Sequence, residues 1–169
     1  MIQIRPEQIA DIAAIRHVNE QAFNRPAEAD LVDRLRESGK VTLSLVVVRD
    51  AQVVGHILFS PVVIESTEHA IAAVGLAPMA VLPELHNQGI GSRLVTAGLD
   101  ECRRAGHQIA VVLGHPRYYP RFGFVPASRY GLRSEYDVAD ELFMAIDLQP
   151  GALTGRAGIV KYQPEFNDL

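Results

Sequence analysis

Pro83-Glu84-Leu85-His86-Asn87-Gln88-Gly89-Ile90-Gly91 leads from an apolar stretch, Ile71 to Val81, into a segment with helical periodicity. There Ile90, Leu94, Val95, Leu99 and Cys102 recur on one stripe, Arg103 and Arg104 stand where the helix dipole favours cations, and Gly106 closes the run. Beyond it, Ile109 to Leu113 is a continuous apolar strand. Strand, turn, helix and strand thus make one βαβ unit with parallel neighbours and a ligand-binding loop at the first strand's carboxyl end. The two glycines let the backbone approach another molecule closely, and successive amides at a helix start form a nest for an anion. Pyrophosphate is the fitting guest. Taken alone, the Gly-x-Gly equally describes a tight helix entry. A dinucleotide fingerprint would need a third small residue where Leu94 stands, and a P-loop would need Gly-Lys-Ser or Gly-Lys-Thr where Gly91-Ser92-Arg93 stands.

Working outward, Ile2 to Arg5 reads as a short strand, followed after Pro6 by a helical pattern through Ile9, Ile12, Ala13, Ile15, Arg16 and Asn19. Asn24-Arg25-Pro26 breaks that helix, and Leu31, Val32 and Leu35 mark a second one closing near Ser38-Gly39. Thr42 to Arg49 and Gln52 to Val63 form a hairpin around Asp50-Ala51. In the strand from Ile71 to Val81, Gly75 and Pro78 interrupt the ladder and predict a bulge or distorted end. After an aromatic segment, Tyr118 to Phe124, a strand spans Leu142 to Leu148, and Pro150-Gly151 opens a tail with Ile159 to Tyr162. No repeat or linker divides the chain, so one domain over 1–169 is expected, with a core of about 2–149 and a C-terminal extension, 150–169.

The bulk properties narrow the function classes. A chain of 169 residues with 48% hydrophobic content builds one real core, and a net charge of −4 argues against a surface that neutralises many phosphates, so no nucleic-acid partner is expected. Cys102, the single cysteine, forms no internal disulfide, and His17, His69 and His107 share no metal-ligand spacing. No metal is expected. The longest apolar stretch, Ile71 to Pro83, is short of the roughly 20 residues that span a bilayer, and the polar N-terminus carries no signal pattern. A cytoplasmic protein without a membrane partner fits best.

The turn, preceded by Val81-Leu82-Pro83, resembles the acyl-CoA-binding signature of the GCN5-related N-acetyltransferase superfamily, Gln/Arg-x-x-Gly-x-Gly/Ala. It departs at His86, where the family prefers Gln or Arg. A second element follows in the right order: Tyr119-Pro120-Arg121-Phe122-Gly123-Phe124 resembles the family's Tyr-x-x-x-Gly-Phe, and the run from Leu113 to Phe124 is similar to the bacterial YhbS-like acetyltransferases. The resemblance implies an α/β fold, a central mixed sheet of about seven strands flanked by helices, with two parallel strands splayed at the CoA site. It implies acetyl-CoA as co-substrate, held by Met79, Ala80 and Val81 along the strand and by His86, Asn87, Gln88, Gly89, Ile90, Gly91 and Ser92 at the turn.

The implied activity is transfer of an acetyl group to a primary amine of a small molecule, peptide or protein by direct attack. Tyr119 matches the tyrosine that protonates the departing thiolate, a role suited to a phenol with a pKa of about 10. An amine must lose a proton first, yet Ile71 to Val81 holds no carboxylate to take it, although family members frequently use one there. His56, Glu84 and His115 are the alternatives. That gap supports a second reading, a non-catalytic acyl-CoA-binding or regulatory domain. By the same resemblance the acceptor lies near Phe23 to Glu28 and Arg129 to Asp137. Those stretches mix Arg25, Glu28, Arg129, Arg133, Glu135 and Asp137 and select no substrate charge. A homodimer is common in the superfamily.

Overall fold

The structure is a computed structural model that describes residues 1–169. In chain order its main elements are β1 (Ile2–Pro6), α1 (Ile12–Phe23), α2 (Ala27–Glu37), β2 (Leu43–Arg49), β3 (Gln52–Glu65), β4 (Ala70–Val81), α3 (Ile90–Arg104) and β5 (Ile109–Leu113). After them come β6 (Val125–Pro126), β7 (Leu132–Ser134), β8 (Phe143–Asp147) and β9 (Gly158–Lys161). The strands pair in the order β1-β2-β3-β4-β5-β8-β6, and β9 pairs with both β3 and β7. This is the expected mixed α/β sheet, with nine strands instead of about seven.

Two compact units are distinguished within the chain. The first comprises Met1–Ser60, Ala77–Gly98 and Pro164–Leu169. Its β1, β2 and β3 run antiparallel, and the β2–β3 hairpin closes through Asp50 and Ala51, both at positive φ, as a two-residue turn matched to strand twist requires. Helix α1 begins later than the apolar pattern suggests. Asp11 explains the delay: its carboxylate accepts the Gln8 amide at 2.7 Å and the Arg5 guanidinium at 2.7 and 3.1 Å, so Ile9–Asp11 winds as a 3-10 turn and Ile9 stays exposed. Asn24, left-handed at φ 53, ends α1 as its sequence predicts. Arg16 then clamps the two helices, with guanidinium nitrogens 2.8 Å from both Asp30 and Asp33.

The second unit comprises Pro61–Leu76 and Leu99–Gln163. Here β4 pairs parallel with β5, Val74 opposite Ala110 and Leu76 opposite Val112, as the βαβ reading requires, and β5 pairs antiparallel with β8. Its core packs Val62, Ile64, Ile109, Val111, Leu132, Phe143 and Val160. The region read as a tail supplies β9, antiparallel to β3 and parallel to β7. Val160, fully buried there, supplies the reason: removing its side chain from water stabilises by roughly 1.5–3 kcal/mol. The irregularity expected in β4 takes the form of a cis peptide bond at Ala77-Pro78, within a strand that continues to Val81.

Candidate active site

The turn lies entirely in the first unit. Leu82 donates its amide to the Val54 carbonyl at 3.0 Å, Pro83–Leu85 makes a single 3-10 turn, and the chain then passes through left-handed geometry at Asn87 (φ 63) and Gly89 (φ 81). Only glycine adopts the second value without steric cost, and a Cβ at Gly89 would meet nothing within 4 Å. The backbone there faces open space. Arg93 donates to the Gly89 carbonyl at 3.1 Å, so α3 starts at that carbonyl and the Ile90 and Gly91 amides precede its first helical bond. Asn87, Gln88 and Gly89 are exposed, whereas Ile90, Leu94 and Val95 are buried and fix the helix end. Donors and dipole therefore converge on a solvent-facing nest of the kind that binds phosphate.

His86 does something the sequence did not show. Its Nε2 lies 2.7 Å from the Val81 carbonyl, which can only accept, so Nε2 carries the hydrogen. In the neutral ring Nδ1 is then a lone pair, not a donor. The side chain ties the turn back to the end of β4, beside Met79, half-buried, and Ala80, buried.

Tyr119 belongs to the second unit, in a 3-10 turn over Tyr119–Phe122. It is buried, with edge-on contacts to Tyr118 at 5.1 Å and Phe124 at 5.7 Å between ring centroids. Gly114 makes room for it, since a Cβ there would fall 2.3 Å from the Tyr119 ring. Burial first, and Tyr118 second, push its phenol up to about 12. The group stays protonated across the physiological range.

The three candidate bases differ sharply in access. His56 is fully buried, and both ring nitrogens are engaged: Nε2 with Ser44 Oγ at 2.9 Å and Nδ1 with Asn19 Nδ2 at 3.2 Å. Ser44 in turn donates to Glu7, whose carboxylate is held by Arg36 at 3.0 and 3.2 Å. An external amine does not reach a ring enclosed in this way. His115 is exposed, with Nδ1 accepting the Arg117 amide at 3.1 Å, and Glu84 is exposed beside the turn. Of the charges near the first two helices, Arg25 and Glu28 bind each other, 2.9 Å from Nε to Oε1. Cys102 is buried at the α3 face, and burial, then Glu101, pushes its thiol up to about 12, as befits a packing residue. No group of three or more His, Cys, Asp or Glu side chains could hold a metal ion, and no helix is long and apolar enough to cross a membrane.

Residues 3–127 match the acetyltransferase (GNAT) domain family, and the chain belongs to it. It is 38% identical over 165 residues to an uncharacterized N-acetyltransferase of Escherichia coli, YhbS, covering 97% of this chain and 98% of that one. The crystal structure of that E. coli protein in complex with CoA superposes with a TM-score of 0.92 over 98% of this chain and 92% of the other. A GNAT family acetyltransferase from Brucella melitensis, in complex with acetyl-CoA, gives 0.82 at 36% identity over 99% of both chains.

Proposed function

We propose that the protein transfers the acetyl group of acetyl-CoA to a primary amine by direct attack on the thioester. The observation that carries this reading is the solvent-facing nest at Gly89 to Gly91, built where the E. coli and Brucella relatives, matched over nearly their whole length, are described with CoA and acetyl-CoA. In this reading the amides of Gly89, Ile90, Gly91 and Ser92 receive the pyrophosphate, with Asn87 and Gln88 lining the approach. The backbone of Met79, Ala80 and Val81 pairs with the pantetheine arm in the manner of an added strand. Amides aimed at the carbonyl oxygen stabilise the charge that develops there. His86 contributes by holding the Val81 carbonyl and does not touch the phosphates.

Tyr119 is assigned to the leaving sulfur. A phenol near 12 is a weaker acid than a thiol at about 8.5, so complete proton transfer runs uphill and the phenol serves as a hydrogen-bond donor to the developing thiolate. A second reading, a CoA-binding domain without chemistry, draws on the absence of any carboxylate in β4. Thiol release from acetyl-CoA across a broad amine panel, measured beside CoA binding, decides between them. Turnover on any amine supports the enzyme; tight CoA binding with no turnover favours the second reading.

A further inference from the structure

The missing carboxylate of β4 has a counterpart in the same unit, brought in from the far end of the sequence. Gly75 offers no side chain, and the Tyr162 ring occupies the space above it: a Cβ at Gly75 would lie 3.2 Å from Tyr162 Cε2 and 3.0 Å from Val62 Cγ1. Tyr162 follows β9 directly and meets the Tyr136 ring at 5.7 Å between centroids, planes inclined by 39°. Glu135 follows β7 directly, and its amide donates to the Val160 carbonyl at 3.1 Å. Its Oε2 accepts the Tyr162 amide at 2.8 Å. That bond orients the carboxylate but uses one oxygen. Oε1 of this half-buried side chain makes no hydrogen bond, and no arginine or lysine pairs with it.

We propose that Glu135, walled by the Tyr136 and Tyr162 rings over Gly75, seats the ammonium group of the acceptor and takes from it the proton that must leave before attack. This rests on the acetyl-transfer reading. The carboxylate oxygen Oε1 accepts a hydrogen of R–NH3⁺, and the proton passes to it, leaving the nitrogen lone pair. The C–N bond then forms at the thioester carbon and the C–S bond breaks, its electron pair leaving with sulfur. The second proton lost from nitrogen ends on that sulfur, and Glu135 returns its own proton to water.

The geometry also defines a substrate class. A carboxylate beside two aromatic faces attracts a cation, through charge and through the rings' electron-rich faces, and covers the carbons next to it. It repels a second carboxylate. The acceptor is therefore a cationic primary amine with no carboxylate on the neighbouring carbon, not a free α-amino acid. Burial first, then Glu135, raises the Tyr136 phenol, and burial, then Tyr136 and Glu135, raises that of Tyr162. Both walls stay neutral and leave Glu135 as the single anion of the seat.

The test uses the full chain with phenethylamine, 1,4-diaminobutane and glycine as probes, reading acetyl transfer, amine binding in the presence of CoA, and CoA affinity. Glu135→Gln keeps an oxygen for the Tyr162 amide and removes the charge. We expect kcat/KM for the two cationic amines to fall about 100-fold with CoA affinity unchanged, and the wild-type preference for them over glycine, about tenfold or more, to collapse. Wild-type kcat/KM in Glu135→Gln on an amine the wild type acetylates would overturn the seat and leave the acetyltransferase reading standing. Should the wild type acetylate none of the three, binding decides: amine binding lost in Glu135→Gln supports the seat against the transfer reading, and no amine binding overturns it. Tyr136→Leu provides the check if Glu135→Gln fails to bind CoA. It should raise the amine KM with kcat little changed, and an unchanged KM would overturn the proposal.

Discussion

The two units differ in what they are made to do with. In the first, the candidate contacts are backbone: amides at Gly89 to Gly91, the strand edge at Met79 to Val81, a carbonyl held by His86. In the second they are side chains: the phenol of Tyr119 and the carboxylate of Glu135. Backbone donors bind whatever carries a phosphate, whereas a side chain supplies a particular proton at a particular place. Affinity for the donor should therefore follow the first unit and turnover the second. The most severe test is Gly89→Leu. Space around the glycine is open, so the fold is hindered only by the φ of 81, a strain of about 1–2 kcal/mol. The new side chain occupies the nest itself. CoA affinity measured by calorimetry should fall about 1000-fold, roughly 4 kcal/mol, while the thermal transition shifts by only a few degrees. A full-affinity variant would break the comparison at its base.

The units also differ in buried charge. His56 is fully buried in the first, whereas His69, His107 and His115 of the second all retain exposure. Burial, opposed by Glu7 and assisted by Arg36, pushes His56 down to about 4, well below the 6.5 of an unfolded histidine. Between those values the unfolded chain binds the extra proton. Stability is therefore complete above pH 6.5 and declines as pH falls toward 4, by up to about 3 kcal/mol. Denaturant unfolding followed from pH 7 to pH 4, with His56→Gln as reference, should show a slope the variant lacks. Hydrogen exchange should show β2 and β3 losing protection first; equal loss in β5 and β8 would erase the contrast.

How far each unit was legible follows from the same physics. The turn and α3 were readable because helix stripes, caps and Gly-x-Gly spacing are local rules, and β2, β3 and β5 because each is a run of branched apolar residues. Strands β6, β7 and β9 are two to four residues long, too short for any period, and exist because neighbours accept them. The Tyr162 ring over Gly75 joins residues far apart in sequence, so no local pattern announces it. The chain Glu7, Ser44, His56 and Asn19 was invisible for that reason too. One signal did exist: a histidine inside Val53-Val54-Gly55-His56-Ile57-Leu58-Phe59 stands where both strand faces are apolar, which marks a buried and bonded ring.

Tyr119→Phe sharpens the comparison from the other side. The ring and its packing against Phe124 remain, and only the hydroxyl leaves. Loss of one donor to developing charge should lower kcat about 100-fold. CoA affinity should stay within about twofold, because no phosphate contact is touched. The pH dependence adds a check: a phenol near 12 does not ionise below pH 9, so the wild-type rate should show no falling limb from Tyr119 in that range. A change in CoA affinity with kcat preserved would move Tyr119 from chemistry to binding.

The smallest expected effect asks whether a side chain of the first unit merely shapes backbone. If His86 acts by holding the Val81 carbonyl, its removal loosens the strand edge without deleting a phosphate contact. His86→Ala should then weaken CoA binding about tenfold, near 1.4 kcal/mol for one hydrogen bond to a partly buried carbonyl. His86→Gln, whose amide nitrogen can donate to the same oxygen, should recover most of that loss. A phosphate-binding histidine predicts the opposite ordering of causes, because imidazolium would hold the Val81 bond and still donate from Nδ1. Binding would then tighten as pH falls below 6.5, with a dependence that His86→Gln abolishes. CoA affinity of the wild type that is flat between pH 8 and pH 6.5 and rescued by glutamine identifies the latch; affinity that rises on acidification and is not rescued places His86 among the phosphate ligands.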